Sequence, residues 1–148
     1  MNELVSARAA AMWQADRASR GLGMRLEAAA PGHARLSMTI TAAMANGHGI
    51  CHGGFIFSLA DSAMAFASNQ HDGVDVAQHA AISFIRPGRV GEVLIAEAVE
   101  RVRTGRAGMY DVRVTTTEGV PVAVFRGHTR MLRRPGEADR QDSSDRQS

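Results

Sequence analysis

Residues 53–69 constrain the fold of this chain more than any other segment, because they are apolar on nearly every side of a helix. A helix at a protein surface carries one apolar stripe and an opposite polar face. Here the apolar residues leave almost no polar face; they are Phe55, Ile56, Phe57, Leu59, Ala60, Ala63, Met64, Phe66 and Ala67. The segment is therefore predicted to be a buried helix that the rest of the chain wraps.

The remainder of the chain supplies strands that can do the wrapping. Segments rich in Val, Ile and Thr are separated by short turns such as Arg86-Pro87-Gly88 and Thr104-Gly105-Arg106, a pattern typical of β-structure. Because the loops are short, the strands are predicted to pair antiparallel. These segments predict four strands, at residues 76–85, 92–103, 107–117 and 120–132. Two shorter strands are predicted around the turn Pro31-Gly32, at residues 24–29 and 34–40.

One long helix gripped by a curved antiparallel sheet of five to six strands is an α+β architecture known as the hot dog fold. An amphipathic helix is predicted before it, over residues 4–18 and ending near Gly21. A chain of 148 residues suffices for one domain with a core, which we place at residues 1–132. Residues 133–148 mix arginines, acids and serines without a large apolar residue, and are predicted to be a disordered polar tail.

The charged residues exclude several classes of function. All 17 basic residues are arginine, and without a lysine amine neither Schiff-base chemistry nor a Walker-type phosphate loop is available. The arginines alternate with acids, so a net charge of +2 does not indicate nucleic-acid binding.

The single cysteine, Cys51, excludes an intrachain disulfide. With no stretch near the ~20 apolar residues of a membrane span, we expect no membrane association and a cytoplasmic location.

The segment that enters the buried helix carries the chemistry. Asn46 and His52 precede the pair Gly53-Gly54, and Asp61 lies in the middle of the helix. Free backbone N–H groups at a helix start can polarise a carbonyl or hold an oxyanion, and a carboxylate in apolar surroundings can act as base or nucleophile. Together these groups indicate acyl chemistry.

Each of these residues also has a structural interpretation. The two glycines can form a tight turn, Asn46 can cap that turn, and His52 can hold the loop through a backbone group. Asp61 can be an interface residue. The sequence alone leaves these alternatives open.

The spacing of Gly53 and Asp61 makes a further prediction. Eight residues of helix separate them, which is roughly 12 Å at ~1.5 Å per residue. A carboxylate cannot reach over that distance to a carbonyl bound at its own helix start. If both groups act on one substrate, Asp61 must come from a second copy, with a two-fold axis between antiparallel central helices.

These residues resemble a known family. The pattern Asn46…His52-Gly53-Gly54…Leu59-Ala60-Asp61, followed by Ser83-Phe84-Ile85-Arg86-Pro87, is similar to the hot dog acyl-CoA thioesterases of the phenylacetate-degradation type. The resemblance implies hydrolysis of an aryl- or arylacetyl-coenzyme A thioester without a metal or redox cofactor. It implies a homodimer, usually a homotetramer, with each active site shared between two chains.

The resemblance also implies roles for individual residues. Asp61 would be base or nucleophile, and the Gly53 N–H would polarise the thioester carbonyl. Asn46 and His52 would support the reacting group and the water. Further substrate contacts are predicted at Gly54, Ser62, Arg86 and Arg89.

Other interpretations remain open or are weaker. Arg86 and Arg89 can meet the coenzyme A phosphates, as can the cluster Arg101, Arg103 and Arg106, but both sets can equally be solvated arginines at turns. A metal site made by His48, Cys51, His52 and His71 matches no standard zinc spacing. The rival functions are a non-catalytic acyl-CoA-binding or regulatory module, and a hot dog dehydratase or hydratase.

Overall fold

A computed structural model describes residues 4–133 of the chain. Its elements are three helices, α1 (Ala7–Ala15), α2 (Arg17–Gly21) and α3 (Gly53–Ser68), and six strands. The strands are β1 (Arg25–Ala30), β2 (His33–Thr39), β3 (Val74–Phe84), β4 (Val93–Thr104), β5 (Ala107–Thr116) and β6 (Pro121–Arg133). Strand β6 includes Arg133, where the sequence predicted the tail to begin, and the rest of that segment lies outside the described residues. None of the helices in residues 4–133 is long and apolar enough to cross a membrane.

The six strands form one antiparallel sheet in the order β1-β2-β4-β5-β6-β3, and α3 packs along its inner face. This is the predicted hot dog arrangement. The helix buries one broad face against the sheet, through Ile56, Leu59, Ala60, Ala63, Met64, Phe66 and Ala67. Glycine at position 127 permits the close approach, because a β-carbon there would overlap the sulfur of Met64.

The N-terminal region differs from the prediction of a single helix over residues 4–18. The chain forms two helices that meet at Asp16, which ends α1 and caps α2. The Asp16 carboxylate accepts hydrogen bonds from the N–H of Ser19 at 2.9 Å and its hydroxyl at 2.7 Å. Aspartate is favoured at a helix N-cap because its oxygens satisfy free N–H groups, and that preference interrupts the longer helix.

Strand β3 lies at the edge of the sheet and pairs only with β6. Because the connection from β3 to β4 is short, the sequence predicted that these two strands pair with each other. That prediction is wrong, since β5 and β6 lie between them. The eight residues of the connection, 85–92, can span ~26 Å when extended, more than the ~14 Å across three strand spacings. The connection therefore crosses the sheet end beside the start of α3. There the N–H of Cys51 donates to the carbonyl of Gly88 at 2.8 Å.

Candidate active site

The start of α3 leaves the backbone N–H of Gly53 unengaged by any described residue. His52 is the N-cap of the helix, and its Nδ1 accepts a hydrogen bond from the Gly54 N–H at 2.9 Å. The Phe55 N–H donates to the His52 carbonyl at 3.1 Å. The Gly53 N–H has no acceptor among residues 4–133. Of the two glycines, Gly53 thus offers the open donor, at the end of the helix where the dipole favours negative charge.

Because His52 Nδ1 is an acceptor, the neutral ring carries its hydrogen on Nε2. The imidazole therefore holds the loop through one nitrogen and leaves the other, as N–H, for a second partner. The structural and chemical interpretations of His52 are compatible.

Asn46 fixes the loop that precedes the helix. Its Oδ1 accepts from the N–H of His48 at 2.9 Å and of Ile50 at 3.3 Å. The Asn46 N–H also donates to the Ile50 carbonyl at 2.8 Å. The capping interpretation thus accounts for the oxygen of this amide, whereas its Nδ2 has no partner in the described part of the chain.

A pocket of about 400 Å³ opens at this helix start. Its walls are mainly apolar and come from the loop before α3, the first turn of α3 and the connection between β3 and β4. The lining residues are Asn46, Ile50, Cys51, Gly53, Ile56, Phe84, Ile85, Arg86, Pro87 and Gly88. An apolar cavity with a few converging polar groups is the usual form of a small-molecule site.

Asp61 lies two turns further along α3 and does not line this pocket. Its carboxylate makes no hydrogen bond or ion pair with any residue that the structure describes. Burial raises the pKa of the Asp61 carboxyl, because partial removal from water disfavours the charged form. A partly buried, unpaired acid with a raised pKa is a functional candidate.

The remaining predicted residues are placed as follows. Ser62 is in hydrogen-bonding contact with Ser19 of α2, with 2.8 Å between their hydroxyl oxygens. Arg86 lines the pocket but forms a two-point ion pair with Glu92, with contacts of 3.0 and 3.2 Å. Arg89 is exposed and its guanidinium makes no hydrogen bond or ion pair in residues 4–133, although its charge, after the hydrogen bond from Arg86, helps to lower the pKa of the Glu92 carboxyl. The structure brings together Asn46, Gly53 and Arg86, and sets Asp61, Ser62 and Arg89 apart.

Each arginine of the second predicted cluster has a partner within the chain. Arg101 and Arg103 form ion pairs with Asp111 and Asp75, and Arg106 donates to the carbonyl of Met131 at 3.4 Å. Within residues 4–133 no group of three or more histidine, cysteine or carboxylate side chains is arranged as a metal site.

A second depression, of about 420 Å³, lies on the outer face of the sheet. Its charged groups include Arg101, Asp111 and Arg126, and these three are paired with one another. Because these charged groups already satisfy one another, whereas the N–H of Gly53 is open, we assign the chemistry to the pocket at the helix start.

Sequence reasoning missed two residues of this site. Glu92 holds Arg86 and also accepts from the Arg89 N–H at 2.8 Å, so it fixes the Arg-Pro-Gly turn. Phe84 lines the pocket and is 53% exposed. The sequence signal for Phe84 is an aromatic residue that ends a strand beside a Pro-Gly turn. Phe84 belongs to the motif that carries the family resemblance, but the sequence predicted no role for it.

Comparisons with known proteins identify the family of the chain. The profile of the thioesterase superfamily matches residues 48–123, which include α3 and every lining residue of the pocket except Asn46. The acyl-coenzyme A thioesterase PaaI of Escherichia coli strain K12 is 40% identical over 122 residues, covering 82% of this chain and 87% of that protein. A putative esterase of Deinococcus radiodurans is 44% identical over 108 residues, covering 72% of this chain and 73% of that protein.

Solved structures give the same result. The PaaI protein from the phenylacetic acid degradation operon of E. coli superimposes with a TM-score of 0.84 at 38% identity, covering 86% of this chain and 92% of that one. The TT0310 protein of Thermus thermophilus has a TM-score of 0.76 at 38% identity, over 79% of this chain and 98% of that one. The predicted fold and the predicted enzyme class are thereby confirmed, and the chain belongs to the thioesterase superfamily.

Proposed function

We propose that this protein hydrolyses acyl-coenzyme A thioesters, with aryl or arylacetyl groups as the preferred acyl part, at a site shared between two copies of the chain. One observation carries the proposal. The unengaged Gly53 N–H opens onto an apolar pocket, while the same helix bears an unpaired carboxylate with a raised pKa, Asp61. The first group can polarise a thioester carbonyl, and the second can activate the attacking group.

Polarisation of the carbonyl falls to Gly53. As the thioester carbon becomes tetrahedral, negative charge develops on its oxygen, and a preorganised N–H stabilises that charge more than the ground state. A single such donor is worth about 10²–10³ in kcat in other enzymes. The donor is available because His52 already satisfies the neighbouring Gly54 N–H.

Activation falls to Asp61, by either of two routes. As a base it takes a proton from water, the new C–O bond forms, and the C–S bond breaks to release the thiol of coenzyme A. As a nucleophile it attacks the thioester carbon, the C–S bond breaks to release the thiol of coenzyme A, and water then cleaves the acyl–aspartyl anhydride to the free acid and the Asp61 carboxylate. Asn46 Nδ2 and the Nε2–H of His52 are placed beside the helix start, where they can orient the water or the reacting group.

The two groups cannot serve one carbonyl within one chain. They are separated by about 12 Å of helix, and Asp61 is absent from the residues that line the pocket. Two features of the fold support a second copy. The outward stripe of α3 at Gly54, Ser58, Asp61 and Ala65 is not fully covered, and β3 presents an unpaired edge. An exposed edge strand offers free backbone groups for pairing.

A two-fold axis that joins two such edges would set the α3 helices antiparallel, with each Asp61 near the helix start of the other chain. We therefore propose an obligate homodimer. The association of dimers into a homotetramer stays a prediction from the resemblance.

The substrate assignment rests on the relatives and on the pocket. The E. coli relative is named an acyl-coenzyme A thioesterase, and the matching structure comes from a phenylacetic acid degradation operon. The pocket walls are largely apolar, as an aryl group requires. For the coenzyme A phosphates we favour Arg89 over Arg86, because Glu92 occupies the Arg86 guanidinium. We propose a reaction without metal or redox cofactor in the cytoplasm.

The shared site is tested by complementation between two inactive variants. Asp61→Asn removes the carboxylate. Gly53→Pro removes the N–H, and proline suits the first position of a helix. The backbone of the preceding His52, at φ −60° and ψ 132°, is the extended conformation that a residue before proline adopts.

The two variants are refolded together. Hydrolysis of phenylacetyl-CoA by the mixture is then measured with a reagent that reacts with the released thiol. In a mixed dimer the intact Gly53 and the intact Asp61 meet at one of the two sites, so activity should return on mixing. Gly53→Ala, which keeps the N–H, is the control for added bulk. Absence of recovery in a mixture shown by mass spectrometry to contain mixed dimers would disprove the shared site.

A further inference from the structure

The ring of Phe84 lies directly against Gly53. A β-carbon built on Gly53 would lie 2.8 Å from Cζ of this ring, which is too short for a real contact, and 3.2 Å from Cε1, which is tight. The Gly53 backbone does not have a positive φ, so its conformation does not demand glycine. Contact with the phenyl ring does, and the missing side chain lets an aromatic surface touch the residue that carries the open N–H.

The fold makes little use of this ring. Phe84 is the last residue of β3, lies opposite Ala123 of β6, and is 53% exposed. Other aromatic rings of the described chain pack against one another, as Phe57 does with Phe125 at 5.4 Å and Trp13 with Phe66 at 5.9 Å. A large aromatic side chain left half open at the mouth of an apolar pocket indicates contact with a ligand.

The position of a bound carbonyl follows from the open donor. An oxygen that accepts from the Gly53 N–H lies ~2.9 Å from that nitrogen. Because the phenyl ring touches the same residue, the carbons next to the carbonyl come within van der Waals reach of the ring. The other pocket side chains of comparable size, Ile50, Ile56 and Ile85, are aliphatic.

We infer that Phe84 is a specificity-determining residue, whose ring packs on the acyl group beside the reacting carbonyl and favours acyl groups that carry an aromatic ring. The inference rests on the proposed thioesterase function and adds to it the residue that selects the substrate. Aromatic pairs prefer offset or edge-to-face contacts that a straight alkyl chain cannot make.

The test compares three thioesters: phenylacetyl-CoA, cyclohexylacetyl-CoA and octanoyl-CoA, which have the same number of acyl carbons. Phe84→Leu keeps an apolar side chain and removes the aromatic ring. It should lower the ratio of kcat/KM for phenylacetyl-CoA to that for octanoyl-CoA by about three- to tenfold, the value of one aromatic contact. Cyclohexylacetyl-CoA should lose less than phenylacetyl-CoA. Val124→Ala, an exposed apolar position on β6 away from the pocket, should leave the ratio unchanged.

The outcomes separate this inference from the proposed function. If the wild-type protein hydrolyses none of the three thioesters, the proposed function fails. If it hydrolyses them and Phe84→Leu leaves the ratio unchanged, the assignment of Phe84 is overturned while the function stands.

A second comparison does not depend on how well Phe84→Leu folds. Gly53→Ala keeps the N–H and pushes its methyl group into the ring. It should lower kcat/KM for phenylacetyl-CoA more in the wild-type background than in the Phe84→Ala background, where the methyl group has room. Equal costs in the two backgrounds would mean that the ring does not act through this contact, which also overturns the inference.

Discussion

At the C-terminal end of α3 the side chain of Asn69 donates to the carbonyls of Ala65 and Asp75 and accepts from the Asp75 N–H, at 2.9 to 3.0 Å. At the N-terminal end the Gly53 N–H has no acceptor among the described residues. The same helix therefore has one end tied into the sheet by side-chain hydrogen bonds and one end that leaves a donor open. We attribute the first arrangement to stability and the second to function.

Two aspartates show the same contrast. Asp75, at the start of β3, has a side chain that is 2% exposed and accepts from Arg103 at 2.8 Å and from Thr129 at 3.3 Å. Asp61 is partly buried and has no such partner in residues 4–133. Beside the Asp75 pair, Tyr110 donates to Glu100 at 2.7 Å, and burial together with this hydrogen bond raises the pKa of Tyr110. A buried charge is retained for structure where it is paired, and an unpaired one requires another explanation.

The largest effect is expected at Asp61. Asp61→Asn keeps the size of the side chain and removes the base or nucleophile, so kcat for phenylacetyl-CoA should fall by about 10²–10⁴. The thermal midpoint and the dimer should persist, because no described residue loses a partner. Thiol release measures kcat, thermal unfolding measures the midpoint, and light scattering measures the dimer. If the variant retained most of its activity, the catalytic assignment of Asp61 would be wrong.

Asp75 should give the opposite result. Asp75→Asn leaves the Arg103 guanidinium unpaired at a position that is 19% exposed, and loss of one partner of a buried pair should cost about 3 kcal/mol. For a domain of this size that lowers the thermal midpoint by about 6–12 °C, while kcat measured well below the midpoint stays near the wild-type value.

Asp111→Asn is the matched control for this prediction. Asp111 is also paired with arginine, in its case Arg126 and Arg101, but at the surface, and these contacts hold the pKa of its carboxyl at about 2. Exposed pairs contribute about 0–1 kcal/mol. Equal losses of stability in the two variants would remove the distinction between buried and exposed pairs that the comparison assumes.

The parts of the fold that follow from local pattern were predictable. The apolar residues around α3 predicted its burial. The turn Pro31-Gly32 predicted the first two strands and the Val-, Ile- and Thr-rich runs predicted the other four, with ends within about two residues of those found. Asp16 was the exception, because one polar residue inside an amphipathic pattern can either continue a helix or cap the next one. The hydrogen bonds to Ser19 decide between these, and they depend on the three-dimensional path of the chain.

The site could be predicted only in part. The glycines, Asn46, His52 and Asp61 are close in sequence, so their chemistry could be read from spacing. The sequence could not show that His52 occupies the Gly54 N–H and leaves the Gly53 N–H open. Nor could it show that Phe84 covers Gly53 or that Glu92 binds Arg86. These contacts join residues on different elements, and their geometry is set by packing of the β3–β4 connection against the start of α3.

The smallest predicted effect concerns the pH dependence of stability at Asp61. Burial raises the pKa of this carboxyl in the folded protein above its unfolded value, which is about 3.9. Below that value both states are protonated and Asp61 imposes no penalty. As pH rises through the window between the unfolded and the raised folded pKa, the unfolded state ionises first, so the free energy of unfolding falls. Above the folded pKa the penalty is constant.

Asp61→Asn has no such penalty, and its thermal midpoint should therefore exceed that of the wild type at neutral pH by less than the ~4 °C that 1 kcal/mol produces in a domain of this size. The difference should shrink toward zero as pH falls below about 4. Both proteins are compared at one concentration, because dimerisation also shifts the midpoint. A wild type more stable than the variant at neutral pH would mean that the Asp61 carboxylate is paired in the assembled protein. Asp61 would then resemble Asp75, and the contrast between the two aspartates would be lost.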